Sequence, residues 1–190
     1  MLQNQKYVFR EPSKREHYHG NESTDYDYGF SNESSMTSVW RNYKELAIKD
    51  SPGALLFCIA GGTMSEGINF SDNLARCVGI IGMPFPHIGD PELQARMNWF
   101  ESRETGTGNR YYEGLCMKTV NQSIGRAFRH KDDYATIVLF DHRYAKTKYR
   151  QKITPWIASN MYVSNCATET LDNISKFCSK HATTQLTTEN

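Results

Sequence analysis

The sequence lacks several features that would place it in a familiar class of proteins. Its five cysteines include no CxxC pair, and their odd count argues against a disulfide framework or a zinc site. The N-terminus has no apolar signal-peptide region, and no apolar run approaches the length of a membrane span. The formal net charge is only +1, so any contact with nucleic acid must come from local basic clusters. We therefore expect no membrane partner and no metal site, and a reducing compartment, cytosol or nucleus.

Short apolar runs alternate with helical patterns along the 190 residues. Such runs, bounded by turn residues, are typical of strands buried on both faces of a parallel sheet. The predicted strands are 54–60, 77–81 and 135–140. The predicted helices are 39–48, 112–130 and 168–181, and a further predicted helix begins with Asp90 as its N-cap and Pro91 as its first residue. This alternation predicts an α/β domain with a mostly parallel sheet.

The composition also predicts the boundaries of this domain. Residues 1–10 form a partial strand region, and residues 11–37 are so polar that we expect a flexible insertion. The main domain covers residues 38–182, and residues 183–190 are expected to form a disordered tail.

One face of the predicted helix 112–130 is basic. With Gln122 placed at zero on a helical wheel, Arg126 falls near about 40° and Arg129 near about −20°, with Lys118 beside them. The opposite face is apolar and holds Met117, Val120, Ile124, Ala127 and Phe128. A solvated basic face is the ordinary alternative, but paired arginines are well suited to phosphate contacts.

A glycine-rich loop follows the first apolar run. Gly62 and Gly67 have the spacing of a phosphate-binding P-loop, but Ile68 and Asn69 follow where lysine and a hydroxyl residue are required. The loop is therefore not a Walker A motif. It should nevertheless lie at the carboxyl edge of the sheet, where α/β proteins bind ligands.

Five segments, in the same order, resemble the XPD-like helicases of superfamily 2. They are FREP at 9–12, SEGINF at 65–70 (motif V), SDNLARC through GMPFP at 71–86, LCMK through NQSIGRAFR at 115–129 with the QxxGRxxR pattern of motif VI, and DHRYA at 141–145. The resemblance covers roughly residues 7–160 and is closest to the ChlR branch, the helicases of sister-chromatid cohesion; a neighbouring iron–sulfur branch is the alternative. Thr63 stands where the family usually has lysine.

The resemblance implies a RecA-like second motor domain, incomplete at its N-terminus, and roles for particular residues. Arg129 would be the arginine finger and Arg126 a second catalytic phosphate contact. Nucleotide binding would involve Gln122, Gly125, Arg126, Arg129, Gly67 and Asn69, whereas Gly62, Thr63, Ser65 and Glu66 would contact DNA or couple it to the nucleotide.

The resemblance also defines what this chain would depend on. In the family, a first motor domain carries Walker A, the DEAH box and a four-cysteine iron–sulfur cluster, and none of these signatures occurs here. We expect ATP and Mg²⁺ to be shared with that first domain, the 4Fe–4S cluster to lie outside this chain, and this chain alone to be inactive. The expected partners are single-stranded or forked DNA and the first motor domain, in the nucleus. A fragment, a truncated gene product and a partial duplicate remain open, as does a non-catalytic interaction module of the same fold.

Overall fold

The computed structural model describes residues 6–12, 36–48, 53–70, 72–128, 130 and 133–188. Its strands are β1 (Tyr7–Arg10), β2 (Ala54–Phe57), β3 (Cys77–Ile81) and β4 (Thr136–Phe140). Its helices are α1 (Met36–Ala47), α2 (Thr63–Gly67), α3 (Pro91–Glu101), α4 (Thr107–Gly125), α5 (Thr147–Arg150), α6 (Pro155–Ala158) and α7 (Ala167–Thr188), with 3₁₀ turns at Asp72–Leu74 and His142–Ala145. None of the helices within these ranges combines the length and apolar character that crossing a bilayer requires.

The described strands form two separate parallel pairs. In the first pair Tyr7 lies opposite Ala54, and the register continues to Arg10 opposite Phe57. In the second pair Cys77 lies opposite Thr136, and Ile81 lies opposite Phe140. The predicted α/β class with parallel strands is confirmed.

The prediction that these strands are buried on both faces is wrong for the described chain. In β2, Ala54 and Leu56 pack against the core, whereas the alternating Leu55 and Phe57 are 43% and 50% exposed. Ile81, at the end of β3, is 78% exposed. The physical reason is that the helix α1 covers one face of the first pair, and successive strand side chains point to opposite faces.

The ends of the helices follow local chemistry. The Asp90 carboxylate accepts hydrogen bonds from the amides of Glu92 and Leu93, and Pro91 opens α3, as predicted. At the other end of the chain, α7 continues to Thr188, through most of the segment for which we predicted a disordered tail. Residues 167–188 contain neither glycine nor proline, so nothing in the backbone chemistry stops that helix earlier.

The core consists of two clusters that flank the glycine-rich loop. The larger is built on α4 and comprises Ile80, Met117, Val120, Ile124, Tyr144, Tyr149 and Ile153. The smaller comprises Phe9, Val39, Tyr43 and Met64, so it joins β1, α1 and the loop helix α2. The loop is therefore anchored through Met64, whose side chain is fully buried.

Candidate functional site

The loop after β2 begins with a sharp turn. Gly61 has a φ of 78°, a left-handed conformation that glycine adopts without steric cost. The amide of Gly62 then donates to the carbonyl of Ile59 at 2.8 Å, and α2 starts at Thr63. The turn lies at the carboxyl end of β2, so the predicted location of the loop is confirmed.

The side chain of Glu11 supports this loop from the end of β1. It is only 9% exposed, and its two oxygens accept hydrogen bonds from the amides of Ile59 and Met64, each at 2.9 Å. Glu11 therefore belongs to the support of the loop, not to the polar insertion in which the sequence placed it. The insertion's other end is corrected too, because Met36 and Thr37 lie in α1; residues 13–35 fall outside the described residues.

The predicted contact residues of the loop differ in their availability. The hydroxyl oxygen of Ser65 lies 2.7 Å from the carbonyl oxygen of Ile59 and 3.0 Å from that of Gly62, so it donates within the loop. By contrast Thr63, Glu66, Gly67 and Asn69 are exposed and accessible to a ligand. The geometry thus gives Ser65 a role in holding the loop's shape.

The helix α4 confirms the predicted apolar face but ends earlier than predicted. Met117, Val120 and Ile124 are buried, while Gln122 on the other face is exposed. The helix stops at Gly125, and the amide of Ala127 bonds back to the carbonyl of Ile124 in a tighter turn. Arg126 therefore caps the helix instead of continuing a straight basic stripe, and Arg129 lies outside the described residues.

Gly125 is one of the residues predicted to bind nucleotide. Within the described residues, a β-carbon built at this position would meet nothing within 4 Å. Gly125 is exposed, so the space beside it is open.

The cap residue of α4 is joined to the end of the glycine-rich loop. The guanidinium of Arg126 donates from Nη1 to Oδ1 of Asn69 at 2.8 Å. The amide of Phe70 donates to the carbonyl of Arg126 at 3.0 Å. Two segments that are 57 residues apart in sequence thus meet through one side-chain and one main-chain hydrogen bond.

A groove of about 490 Å³ runs between the loop and α4. Gly61 and Glu66 line its loop side, and Lys118 and Gln122 line its helix side. The segment Pro84–Pro86 closes the groove at the end of β3. The structure therefore brings Glu66 and Gln122 into one groove that carries both a cationic and an acidic side chain.

A network of salt bridges and hydrogen bonds joins two other segments of the chain. The Asp133 side chain is fully buried and bonds to Arg76 Nη1 at 2.8 Å and to the Asp72 amide at 3.1 Å. Burial acts to raise the pKa of Asp133, but these hydrogen bonds prevail and hold it below its usual value. Asp72, His130 and Asp133 place possible ligand atoms within 4.8 Å of one another. Their contacts, including His130 with Asp72 at 3.0 Å, account for the cluster as a network that ties Asp72 and Arg76 to His130, Asp133 and Tyr134.

The chain was compared with protein families, with curated proteins and with solved structures. The family model of the helicase C-terminal domain matches residues 4–160. The chain is 42% identical over 172 residues to the ATP-dependent DNA helicase DDX11 of Danio rerio, covering 85% of this chain and 17% of that protein. It is 48% identical over 127 residues to the ATP-dependent DNA helicase chl-1 of Caenorhabditis elegans, covering 67% of this chain and 15% of that protein. A solved structure of an XPD helicase matches with a TM-score of 0.45 and 21% identity, covering 82% of this chain and 27% of the other. The chain thus spans less than a fifth of the length of these curated relatives.

Proposed function

Because the chain belongs to the helicase C-terminal domain family, in the branch of the DDX11 and chl-1 helicases, we propose that it works as the C-terminal motor domain of an ATP-dependent DNA helicase. DNA unwinding in chromosome cohesion and repair, in the nucleus, belongs to the same proposal. That finer part is supported by the resemblance to the ChlR branch.

The observation that carries the proposal is the hydrogen bond between Arg126 and Asn69. It joins the segment that resembles motif VI to the segment that resembles motif V. A motor must link nucleotide chemistry to movement along a strand, and this bond is a direct physical connection between the two candidate segments. A change in what Arg126 binds would release or pull Asn69.

The proposed nucleotide chemistry is electrostatic. Arg129 would stabilise the charge that spreads over the γ-phosphoryl group in the transition state, a contribution of roughly 10³–10⁵-fold in rate. Arg126 would provide a second phosphate contact, and Gln122, exposed in the groove, would position nucleotide or water. The exposed Gly125 and Gly67 leave room for a phosphate near these side chains. Mg²⁺ and most phosphate contacts would come from a first motor domain.

The proposed DNA contacts lie on the exposed part of the loop. Thr63 and Glu66 are accessible, and Gly62 and Ser65 hold the turn that presents them. Contacts of this kind are made to the strand's backbone and need no base sequence. Glu66 is acidic, so its proposed role is to couple the loop to α4 across the groove.

The cysteines of this chain do not fit an iron–sulfur cluster. All five are free thiols, and among the described residues the metal-competent group consists of Asp72, His130 and Asp133, without a cysteine. A 4Fe–4S cluster is bound by cysteine thiolates. We therefore propose that any such cluster of the helicase is held outside residues 1–190.

The test compares single arginine variants in a complete helicase that carries this segment. Arg129→Ala is expected to lower ATP turnover by about 10³-fold, because the finger acts on transition-state charge. Its melting temperature should remain close to that of the parent, since the helical pattern predicts Arg129 on the polar face and surface substitutions usually change stability by less than about 0.5 kcal/mol. Arg126→Ala should also lower turnover. The measurements are steady-state ATPase and a melting curve.

The matched control is Arg96→Ala, which removes an exposed arginine of α3 that pairs with Glu92 and hydrogen-bonds to Tyr111, outside the lining of the groove. It should leave turnover unchanged. If Arg129→Ala and Arg126→Ala behave like this control, the motor proposal fails and the interaction-module alternative takes its place.

A further inference from the structure

The glycine-rich loop has the spacing of a phosphate cradle, but its main chain already holds an anion from within the protein. The amides of Ile59 and Met64 point at Oε2 and Oε1 of Glu11, both at 2.9 Å. Loops that bind phosphate do so by directing successive amides at the ligand. In this chain the same donors are used by a side chain of β1.

The contacts around Glu11 show how closely the loop is built around it. Glu11 as a whole residue is only 9% exposed; a buried carboxylate is costly unless it is hydrogen-bonded, and here each oxygen has its own donor. The loop also passes so close that a β-carbon at Gly62 would lie 2.9 Å from Oε2. The loop is therefore packed closely around a hydrogen-bonded carboxylate at this place.

We propose that Glu11 is a positioning residue of the motor site, an internal anion that takes the place of a phosphate and fixes the loop. Its bonds occupy the amides of Ile59 and Met64, so that DNA is met by the exposed side chains of the loop, Thr63 among them. This inference rests on the proposed function for its effect on activity. The role of Glu11 in fixing the loop does not depend on the proposed function.

The structural part is tested by amide hydrogen exchange on the 190-residue chain. In Glu11→Ala the amides of Ile59 and Met64 are expected to lose protection by at least about tenfold, as for the loss of a charge-assisted bond. Added acetate should restore the protection by occupying the vacated site. Glu11→Gln is the second variant, in case Glu11→Ala does not fold. It keeps the shape of the side chain but offers one acceptor oxygen, so one or both amides should lose protection.

The control is Glu66→Gln, which neutralises an exposed carboxylate of the same loop and should leave both amides protected. In the complete helicase, Glu11→Ala is expected to lower DNA-stimulated turnover by about tenfold, with partial recovery in acetate but not in chloride of equal ionic strength. Unchanged protection in the Glu11 variants, no effect of acetate on it, or normal turnover in Glu11→Ala would each overturn the proposal. An inactive parent helicase would refute the motor function, whereas the exchange measurement would still decide the role of Glu11.

Discussion

At Gly62 the missing side chain matters because of space and not because of backbone conformation. Its φ of −82° is open to any residue. A β-carbon there would lie 2.8 Å from the carbonyl oxygen of Ile59 and 2.9 Å from the Glu11 carboxylate. Gly62 is thus constrained by the atoms that hold the loop in place, and substitution at Gly62 tests that packing directly.

Gly62→Ala is expected to destabilise the chain by roughly 1–3 kcal/mol, because either the loop or Glu11 must shift to admit the methyl group. Gly67→Ala is the matched control within the same loop, since its β-carbon would meet nothing within 4 Å. Thermal melting of both variants is the measurement. Equal melting temperatures would contradict the close packing of the loop on Glu11.

Sequence reasoning found the exposed residues of the loop but missed the buried one that holds it. Glu11 stands beside Pro12 at the start of a polar stretch, and its partners lie 48 and 53 residues away. Two local signals were available, namely its place in the FREP segment at 9–12 and its position immediately after a strand, where a side chain can reach the carboxyl edge of the sheet.

At the scale of elements, α4 shows what periodicity predicts and where it stops. The spacing of Met117, Val120 and Ile124 identified the buried face, because that spacing follows from the helical repeat itself. The same pattern runs on through Phe128, although the backbone leaves the helix after Gly125. The end is set by a tertiary contact, the bond from the Phe70 amide to the Arg126 carbonyl, which no pattern within the helix contains.

The two faces of α4 are expected to respond very differently to the same substitution. Ile124 is 1% exposed, so Ile124→Asp buries an unpaired charge and should unfold the chain, at a cost of several kcal/mol. Gln122→Asp, two positions away on the exposed face, should change stability by less than about 0.5 kcal/mol. Circular dichroism melts of the two variants would show the difference. A folded Ile124→Asp variant would mean that the faces are assigned wrongly.

The strands illustrate a different limit of prediction. Their apolar runs correctly gave β3, and they contained the whole of β2 and β4 but extended beyond them. The expectation of burial on both faces was wrong for residues such as Phe57 and Ile81. An apolar sequence shows that a side chain favours burial. Which element covers that side chain depends on the arrangement of the other elements, and in the described residues mainly one face of the strands is covered.

At the scale of the whole molecule, charge is nearly balanced and much of it is paired. The net charge is +1, and Lys148 and Lys152 both bind Glu113, while Arg143 binds Asp141. Within the part of the chain that the structure describes, these pairs leave fewer cations to converge on a single strand. In the groove itself, Lys118 stands opposite Glu66.

This chain is expected to bind single-stranded DNA weakly and with clear salt dependence. Each lost phosphate contact should reduce the slope of log affinity against log salt by about 0.7 for a single strand. Titration of labelled oligonucleotides at several salt concentrations measures the slope. Affinity that is independent of salt, or a strong preference for one base sequence, would contradict contacts to the phosphates.

The distance that Glu11 spans along the chain also bears on how the protein folds and how its length can vary. The loop can take its final shape only after β1 has paired with β2, since that pairing brings the carboxylate to its donors. Lengthening the connection between them costs little, roughly 0.6 kcal/mol for each doubling. The chain after Pro12 is therefore free to grow or shrink during evolution, whereas a slip of one residue in the pairing of β1 would turn the carboxylate to the opposite face and leave the loop without its anchor.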